Sequence, residues 1–412
     1  MTAEPFVIVG GGLASARAIS TLRTEGYDGD LVVVTAEPHL PYERPPLSKD
    51  YLRREVERST VFPNTGEWYT QNSVDVRTAS TVVGLDAAGH RLALADGGGL
   101  SYSKLLLATG SSPRSVSIPG ADLLGVLSLR TLESSDLLAE TLQSALRDGG
   151  GRLAVIGDGW IGMEVAASAR TLGLEVTVFG HGAVPLGKVL GAEMGEVYAK
   201  LHLEHGVDIK RTTRVASIAG DKGRVTGVVL DDGTVFAADV VLVAVGAAPN
   251  VGLASSAGIV LADRSVGGGV AVNGNLQTSE PDIFAAGDIA NIPAPAYGRP
   301  VRVEHWATAL NTGPHVAKAM LGATDAYDTL PYFYSDQFDA GMEYTGFVAG
   351  DAGYDRVVVS GSVADREFVA FWTLDGRVQA GMGVNVWDRM PEVETLIRGK
   401  AQIPADELES FK

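Results

Sequence analysis

The 412-residue chain contains no cysteine. That absence removes disulfides, thiolate-bound zinc, iron–sulfur centres held by the chain itself, and every thiol nucleophile or redox-active cysteine pair. Basic charge is scarce as well: 33 Lys and Arg stand against 50 Asp and Glu, a formal net charge of -17 at pH 7. So acidic a surface is repelled by nucleic-acid phosphates and by anionic lipid, so neither nucleic acid nor membrane is expected as a partner. Long apolar runs are missing too. The most apolar stretch, 238–262, is broken by Asp239, Gly246, Pro249 and Asn250, which rules it out as a bilayer span. The first residues, Met1 to Pro5, carry no basic segment ahead of an apolar one, and the expected location is cytoplasmic.

Glycine is what the chain has in quantity, 51 residues, and the glycines cluster. The β-branched run Phe6-Val7-Ile8-Val9 leads into Gly10-Gly11-Gly12, a helical pattern follows over about 14–25, and a second run occupies 31–35. The pattern returns later: Leu153-Ala154-Val155-Ile156, then Gly157-Asp158-Gly159-Trp160-Ile161-Gly162, a helix to about Leu172, and a strand over 176–179. Two strand–turn–helix–strand units in one chain predict an α/β fold with two Rossmann-like dinucleotide-binding domains. From about Leu330 the texture changes to alternating aromatic and β-branched runs, such as Tyr332-Phe333-Tyr334 and Phe368-Val369-Ala370-Phe371-Trp372. That change predicts a C-terminal α+β domain with an antiparallel sheet.

The first cluster reads Gly10-x-Gly12-Leu13-Ala14-Ser15. Glycine first allows the turn, glycine second lets a pyrophosphate approach the backbone, and the third position needs only a small residue. Glu37, just past the second strand, is placed to accept a hydrogen bond from a ribose hydroxyl. The second cluster, Gly157-x-Gly159-Trp160-Ile161-Gly162, is complete but lacks that acid, because its strand runs out into Phe179-Gly180-His181. Nothing there selects a free 2′-hydroxyl, and His181 or Lys188 could face a 2′-phosphate, so NADH against NADPH stays open. Three further apolar runs end in small residues at tight turns: Leu105 to Ala108-Thr109-Gly110, Val240 to Gly246, and Ile283 to Gly287-Asp288.

Together with these clusters, Tyr42-Glu43-Arg44-Pro45-Pro46-Leu47-Ser48-Lys49, Val245 to Asn250, Ala286-Gly287-Asp288 and Glu304-His305-Trp306 resemble one family over essentially the whole chain. It is the NAD(P)H-dependent ferredoxin reductases of bacterial cytochrome P450 and aromatic-ring dioxygenase systems, a putidaredoxin-reductase-like group related to rubredoxin reductases and apoptosis-inducing-factor-like FAD flavoproteins. The departures are Ser15, Asp158, Trp160 and the missing acid at Gly180.

The resemblance implies a glutathione-reductase-like arrangement: an FAD domain from 1–112 and 248–327, an NAD(P)H domain at 113–247, and the C-terminal domain at 328–412. It implies FAD and NADH as cofactors, NADPH being the open alternative, and a ferredoxin as electron acceptor. Arg44 with Pro45 would meet the FAD pyrophosphate and Arg130 its adenine end, with Val82, Ala108, Thr109, Gly110, Gly246 and Gly287 lining the nucleotides. Asp288 would accept from the ribityl chain, or would cap the residues after it. Lys49, paired with Glu164, would stand beside flavin N5 and steer the nicotinamide. Glu304, His305 and Trp306 would open a helix aimed at the flavin pyrimidine, His305 being structural. Trp387 would pack near the flavin or in the C-terminal core. Arg53, Arg54 and Arg58 are candidates for docking an acidic ferredoxin, or are simply a solvated helical face. The same framework would suit an oxidase or diaphorase with a small acceptor, or a redox-sensing flavoprotein, in a monomer or weak dimer. Without a thiol, electrons would have to leave the flavin directly.

Overall fold

The computed structural model describes residues 4–348 and 350–411, and the chain divides into two compact units. The first is built from Met1–Arg44, Arg58–Ser112 and Ala248–Tyr332; the second from Pro45–Glu57, Pro113–Ala247 and Phe333–Lys412.

Four-residue strands with every side chain buried form the heart of the first unit: β1 (Phe6–Val9) and β2 (Leu31–Val34). Such runs suit a parallel sheet covered on both faces. The sheet order is Ile283–Ala285, Lys104–Leu107, β1, β2, Val74–Arg77, all parallel, with Phe6 in register with Leu31 and Lys104. Between β1 and β2 runs helix α1 (Leu13–Thr24), whose buried face is Leu13, Ala14, Ala16, Ala18, Ile19 and Leu22. Small residues let the Trp306–Met320 helix lie almost against its backbone: a Cβ on Gly313 would fall 2.6 Å from the Ala14 carbonyl oxygen.

The second unit repeats the plan with β3 (Arg152–Ile156), α2 (Trp160–Thr171) and β4 (Glu175–Phe179). Its parallel sheet runs Val207–Lys210, β4, β3, Val240–Val243, Val126–Leu127. The same unit holds a five-stranded C-terminal sheet ordered Tyr332–Gln337, Ala340–Gly346, Arg377–Val384, Glu367–Leu374, Arg356–Ser362, in which the last four strands pair antiparallel. Its core is aromatic, with Phe368, Phe371 and Trp372 fully buried, and the Trp372 indole N–H donates to the Leu190 carbonyl at 3.1 Å. Trp387 is 55% exposed, so the reading of it as a core residue is incorrect: it follows the last strand and lies over Gly341 at the surface.

The 45–57 segment, which has no regular pattern in sequence, belongs to the second unit because its backbone carbonyls are caught there. Ser135 donates to the Leu47 carbonyl at 2.8 Å, Ser168 to the Ser48 carbonyl at 2.7 Å, and the Tyr51 phenol to Asp136 at 2.8 Å. Among the described residues no helix is long and apolar enough to cross a membrane.

Candidate nucleotide-binding sites

The glycines at the mouth of β1 are dictated by sterics. Gly10 has φ +131°, and a Cβ there would sit 2.1 Å from the Ala108 carbonyl oxygen of the neighbouring strand. Gly12 is the N-cap of α1 and offers no side-chain cap, while a Cβ on it would meet nothing within 4 Å. The first-turn N–H groups of α1 thus have no side-chain cap, and the space beside Gly12 lets a pyrophosphate come up to that end of the helix. Leu13, Ala14 and Ser15 are all buried in that turn. Ala108, Thr109 and Gly110 follow the next strand and are pinned by Asn250: its side-chain amide donates to the Thr109 carbonyl at 2.8 Å, and Thr109 Oγ1 returns a bond to the Asn250 carbonyl at 2.9 Å. FAD fits this donor set.

Glu37 stands past β2 as expected and is clamped. Arg44 Nη2 donates to it at 2.9 Å, Arg44 Nη1 donates to the Tyr42 hydroxyl at 2.8 Å, and that hydroxyl in turn donates to Glu37. Burial alone would lower the Arg44 guanidinium, but the Tyr42, Glu37 and Asp288 charges outweigh it and hold the group above its ordinary value. Asp288 lies inside the short turn Gly287–Ile289, capped by Ala286, so it is not the helix cap that the sequence allowed as an alternative. The Gly287 N–H donates to Thr312 Oγ1 at 3.0 Å. Arg302, which no sequence motif marks, donates to the Asp288 carbonyl and to Glu304 Oε1, each at 2.9 Å. His305 is the N-cap of the Trp306–Met320 helix and provides no side-chain cap bond. Burial pushes its imidazole down to about 4 against the pull of Asp288, so the ring is neutral at pH 7. The Trp306 indole N–H donates to Glu43 Oε2 at 3.2 Å. Val82 is half-buried and packs against the unit's core from an edge hairpin.

In the second unit Gly159 is likewise an N-cap without a side-chain cap and with empty space where a Cβ would be. Gly162 has no such room: a Cβ would lie 2.3 Å from the Gly157 carbonyl oxygen, so α2 packs hard on its own loop. Trp160 turns its ring onto Tyr198 and Phe333, at centroid distances of 5.9 and 5.0 Å, while Ile161 is 43% exposed. Gly246 has φ +101° and accepts from the Arg114 N–H at 2.8 Å. Half-buried Arg130 precedes the Thr131–Ser134 capping box of the Leu132–Arg147 helix, and its own N–H donates to Ser134 Oγ at 2.9 Å.

Lys49 and Glu164 are brought together. Their ion pair is 2.8 Å long and the side chains are 11% and 5% exposed. A carboxylate so deeply placed needs its remaining lone pairs filled. Ser48 Oγ donates to Oε2 at 2.5 Å and Ser335 Oγ to Oε1 at 2.8 Å. Behind Ser335 the chain continues: Gln337 Nε2 donates to Ser335 Oγ at 3.0 Å, and His202 Nε2 lies 2.8 Å from Gln337 Oε1. Burial pushes fully buried His202 down to about 4, so it is neutral, and it donates from Nε2. Ser335, Gln337 and His202 carry no sequence signal, because they reach Glu164 only through folding. The docking arginines do not form a helical face. Arg53 is occupied, donating to Ser168 Oγ at 3.2 Å and to Glu55 at 2.6 Å; Arg54 is 49% exposed in a turn with φ +61°, 3.9 Å from Glu140; Arg58, also exposed, opens the short turn Arg58–Val61 with its guanidinium 3.0 Å from His39 Nε2.

A family model for the pyridine nucleotide-disulphide oxidoreductases matches residues 4–343, and one for the reductase C-terminal domain matches 332–410. The chain belongs to the pyridine nucleotide-disulphide oxidoreductase family. Among curated relatives it is similar to rhodocoxin reductase of Rhodococcus erythropolis, 35% identical with 92% of this chain and 86% of that protein covered. It is also similar to the ferredoxin–NAD(+) reductase component of the anthranilate 1,2-dioxygenase system of Burkholderia cepacia, 38% identical with 94% and 92% covered. Among solved structures, the covalent putidaredoxin reductase–putidaredoxin complex matches at a TM-score of 0.91 and 31% identity, over 99% of this chain and 96% of that one. The family's name refers to disulfide chemistry, which a chain without cysteine cannot perform. This member of the pyridine nucleotide-disulphide oxidoreductases keeps the family's two nucleotide cradles and none of its thiol machinery.

Proposed function

We propose that this chain is an FAD-dependent ferredoxin reductase, taking hydride from NADH or NADPH and delivering electrons singly to an iron–sulfur ferredoxin that feeds an oxygenase. The observation that carries the reading is the pair of open, uncapped helix N-termini behind Gly12 and Gly159, in a polypeptide with no thiol to receive electrons. FAD, when bound, supplies the conversion between a two-electron donor and a one-electron acceptor.

The residues do the holding and the orienting. The α1 amides and the Arg44 guanidinium hold the pyrophosphate with charge-assisted bonds, and Glu37 accepts from a ribose hydroxyl. Asp288 accepts from a polyol hydroxyl. The uncapped N-terminus of the Trp306–Met320 helix stabilises negative charge that develops near it. Lys49, fixed by Glu164, Ser48 and Ser335, presents one cation in one place, which orients the nicotinamide and keeps its approach geometry from wandering. Arg54, 3.9 Å from Glu140, and Arg58 are the exposed arginines of this segment that an acidic acceptor could meet. The work is done in the cytoplasm, on the cell's nicotinamide pool.

The test is anaerobic titration of the purified yellow protein with NADH, followed by addition of a [2Fe-2S] ferredoxin. Bleaching of the flavin and reduction of two ferredoxins per NADH is the expected result. A colourless protein that refuses FAD on reconstitution would overturn the proposal. Flavin reduction with ferricyanide turnover but no ferredoxin turnover would remove the assigned acceptor.

A further inference from the structure

β3 and β4 are neighbouring parallel strands with Ile156 opposite Phe179. The residues just beyond that pair, Asp158 in the glycine loop and Gly180 at the end of β4, come out side by side at the carboxyl edge of the sheet. A Cβ placed on Gly180 would lie 2.3 Å from Asp158 Oδ2, 2.9 Å from its Cγ and 3.2 Å from its Cβ. The Asp158 side chain thus fills the volume that a side chain at position 180 would occupy. The backbones of both residues are held in place. The Asp158 carbonyl accepts from the Leu186 N–H at 2.9 Å, while the Gly180 N–H donates to Lys210 and its carbonyl accepts from Thr213, each at 2.9 Å.

Apart from a bond to its own backbone, the Asp158 carboxylate shows little structural employment. It does not cap α2, which has no side-chain cap. Among the described residues no other side chain donates a hydrogen bond to it. It is half-buried, and burial raises the carboxyl above its ordinary value while the charges of Lys188 and His181 pull the other way. The end of the second strand in a dinucleotide fold is where a carboxylate accepts from the adenosine ribose hydroxyls. Gly180 leaves that position without a side chain, and Asp158 puts a carboxylate there from the adjacent loop.

We infer that Asp158 is the residue that selects a free ribose 2′-hydroxyl, and therefore NADH over NADPH, with Gly180 supplying the space that admits it. The inference rests on the reading of the second cradle as the nicotinamide dinucleotide site. A carboxylate accepts from a 2′-hydroxyl and repels a 2′-phosphate, so one group both attracts the right ligand and rejects the wrong one. With the carboxylate gone, exposed Lys188, in the first turn of the Gly187–Glu204 helix, is the cation left beside the loop, with exposed His181 as a further donor.

Calorimetric binding of ADP-ribose and 2′-phospho-ADP-ribose to the flavin-loaded protein tests this without turnover, with kcat/KM for NADH and NADPH as the second readout. The wild-type protein should favour ADP-ribose, and Asp158→Asn should reduce that preference by roughly 10- to 100-fold, with flavin content and melting temperature as controls on the fold. Gly180→Glu alone should weaken both ligands, because two side chains compete for one space. The double variant Asp158→Gly/Gly180→Glu should regain the preference for ADP-ribose. An unchanged preference in Asp158→Asn, or a wild-type protein that favours the 2′-phosphate, overturns the inference. A correctly loaded double variant that fails to regain selectivity refutes the exchange between the two positions. A wild-type protein that binds neither ligand refutes instead the reading of the second cradle.

Discussion

The two glycine-rich cradles share a pattern and differ in what they tolerate. In the first, the third small position is Ser15, fully buried, with its hydroxyl meeting no hydrogen-bond partner. In the second it is Gly162, where a Cβ would press on the Gly157 carbonyl oxygen at 2.3 Å and on Val155 at 3.2 Å. The acids differ as well. Glu37 stands beyond β2 and is held by Arg44 and Tyr42, whereas the second strand ends in a glycine overlain by Asp158. A shared sequence motif therefore fixes the topology of the turn but not the spacing of helix and strand, nor the address of the carboxylate. Those are set locally, by which atoms already occupy the space.

The contrast is broken most violently at Gly162. Gly162→Ser copies the first cradle into the second and should cost about 3 kcal/mol or more, because the clash is with backbone that cannot rotate away. Urea unfolding with a midpoint equal to wild type would show that α2 can simply lift. Next in size is an acid effect that both units carry, through His305 in the first and, in the second, through His202 in the chain behind Glu164. His202 takes its proton near 6.5 when unfolded but only at about 4 when folded, so the unfolded state binds more protons between those values. Stability is intact above pH 6.5 and should fall by about 2 to 3 kcal/mol as pH drops towards 4. His202→Gln should remove its share of that slope in denaturant midpoints measured from pH 7 to 4, leaving the share of His305; an unaltered slope would show that His202 contributes nothing to it. In the first cradle, Glu37→Gln leaves Arg44 without its carboxylate and should weaken FAD binding roughly 10-fold, read by flavin fluorescence during dilution. Smallest of all, Ser15→Ala removes a hydroxyl that has no partner and should change stability by less than about 1 kcal/mol. A large loss there would reveal a bond to the Ser15 hydroxyl that the packing does not show.

Much of this architecture was legible beforehand. The strands around both clusters, the helices after them and the antiparallel C-terminal sheet follow from β-branched runs, glycine stops and alternation, all of which are local. What could not be read is what depends on distant partners. Nothing in the 45–57 sequence says that Ser135 and Ser168 will capture its carbonyls and carry Lys49 to Glu164. The pairing of those two residues entered by resemblance, and the serines that anchor it entered only with the fold. Of the two places open to Trp387, beside the flavin or in the C-terminal core, the core is excluded by its 55% exposure, because here the chain turns outward. Arg53 and Arg54 are adjacent and alike in sequence, yet one is committed to Ser168 and Glu55 and the other is exposed. Asp158 looked like a mere departure from the motif until its distance to Gly180 gave it a place.

The edge strand Ile283–Ala285 pairs with Lys104–Leu107, so the first sheet is completed by residues made long after its other four strands. While the ribosome works through the intervening segment, the Lys104–Leu107 strand waits with one unpaired edge, an invitation to association with other nascent chains. Asp288 and the Trp306–Met320 helix arrive later still. On the proposed reading of Asp288 and that helix, flavin capture would be a late event in biosynthesis, and a chain that stalls before residue 283 would be expected to carry an exposed strand and no cofactor.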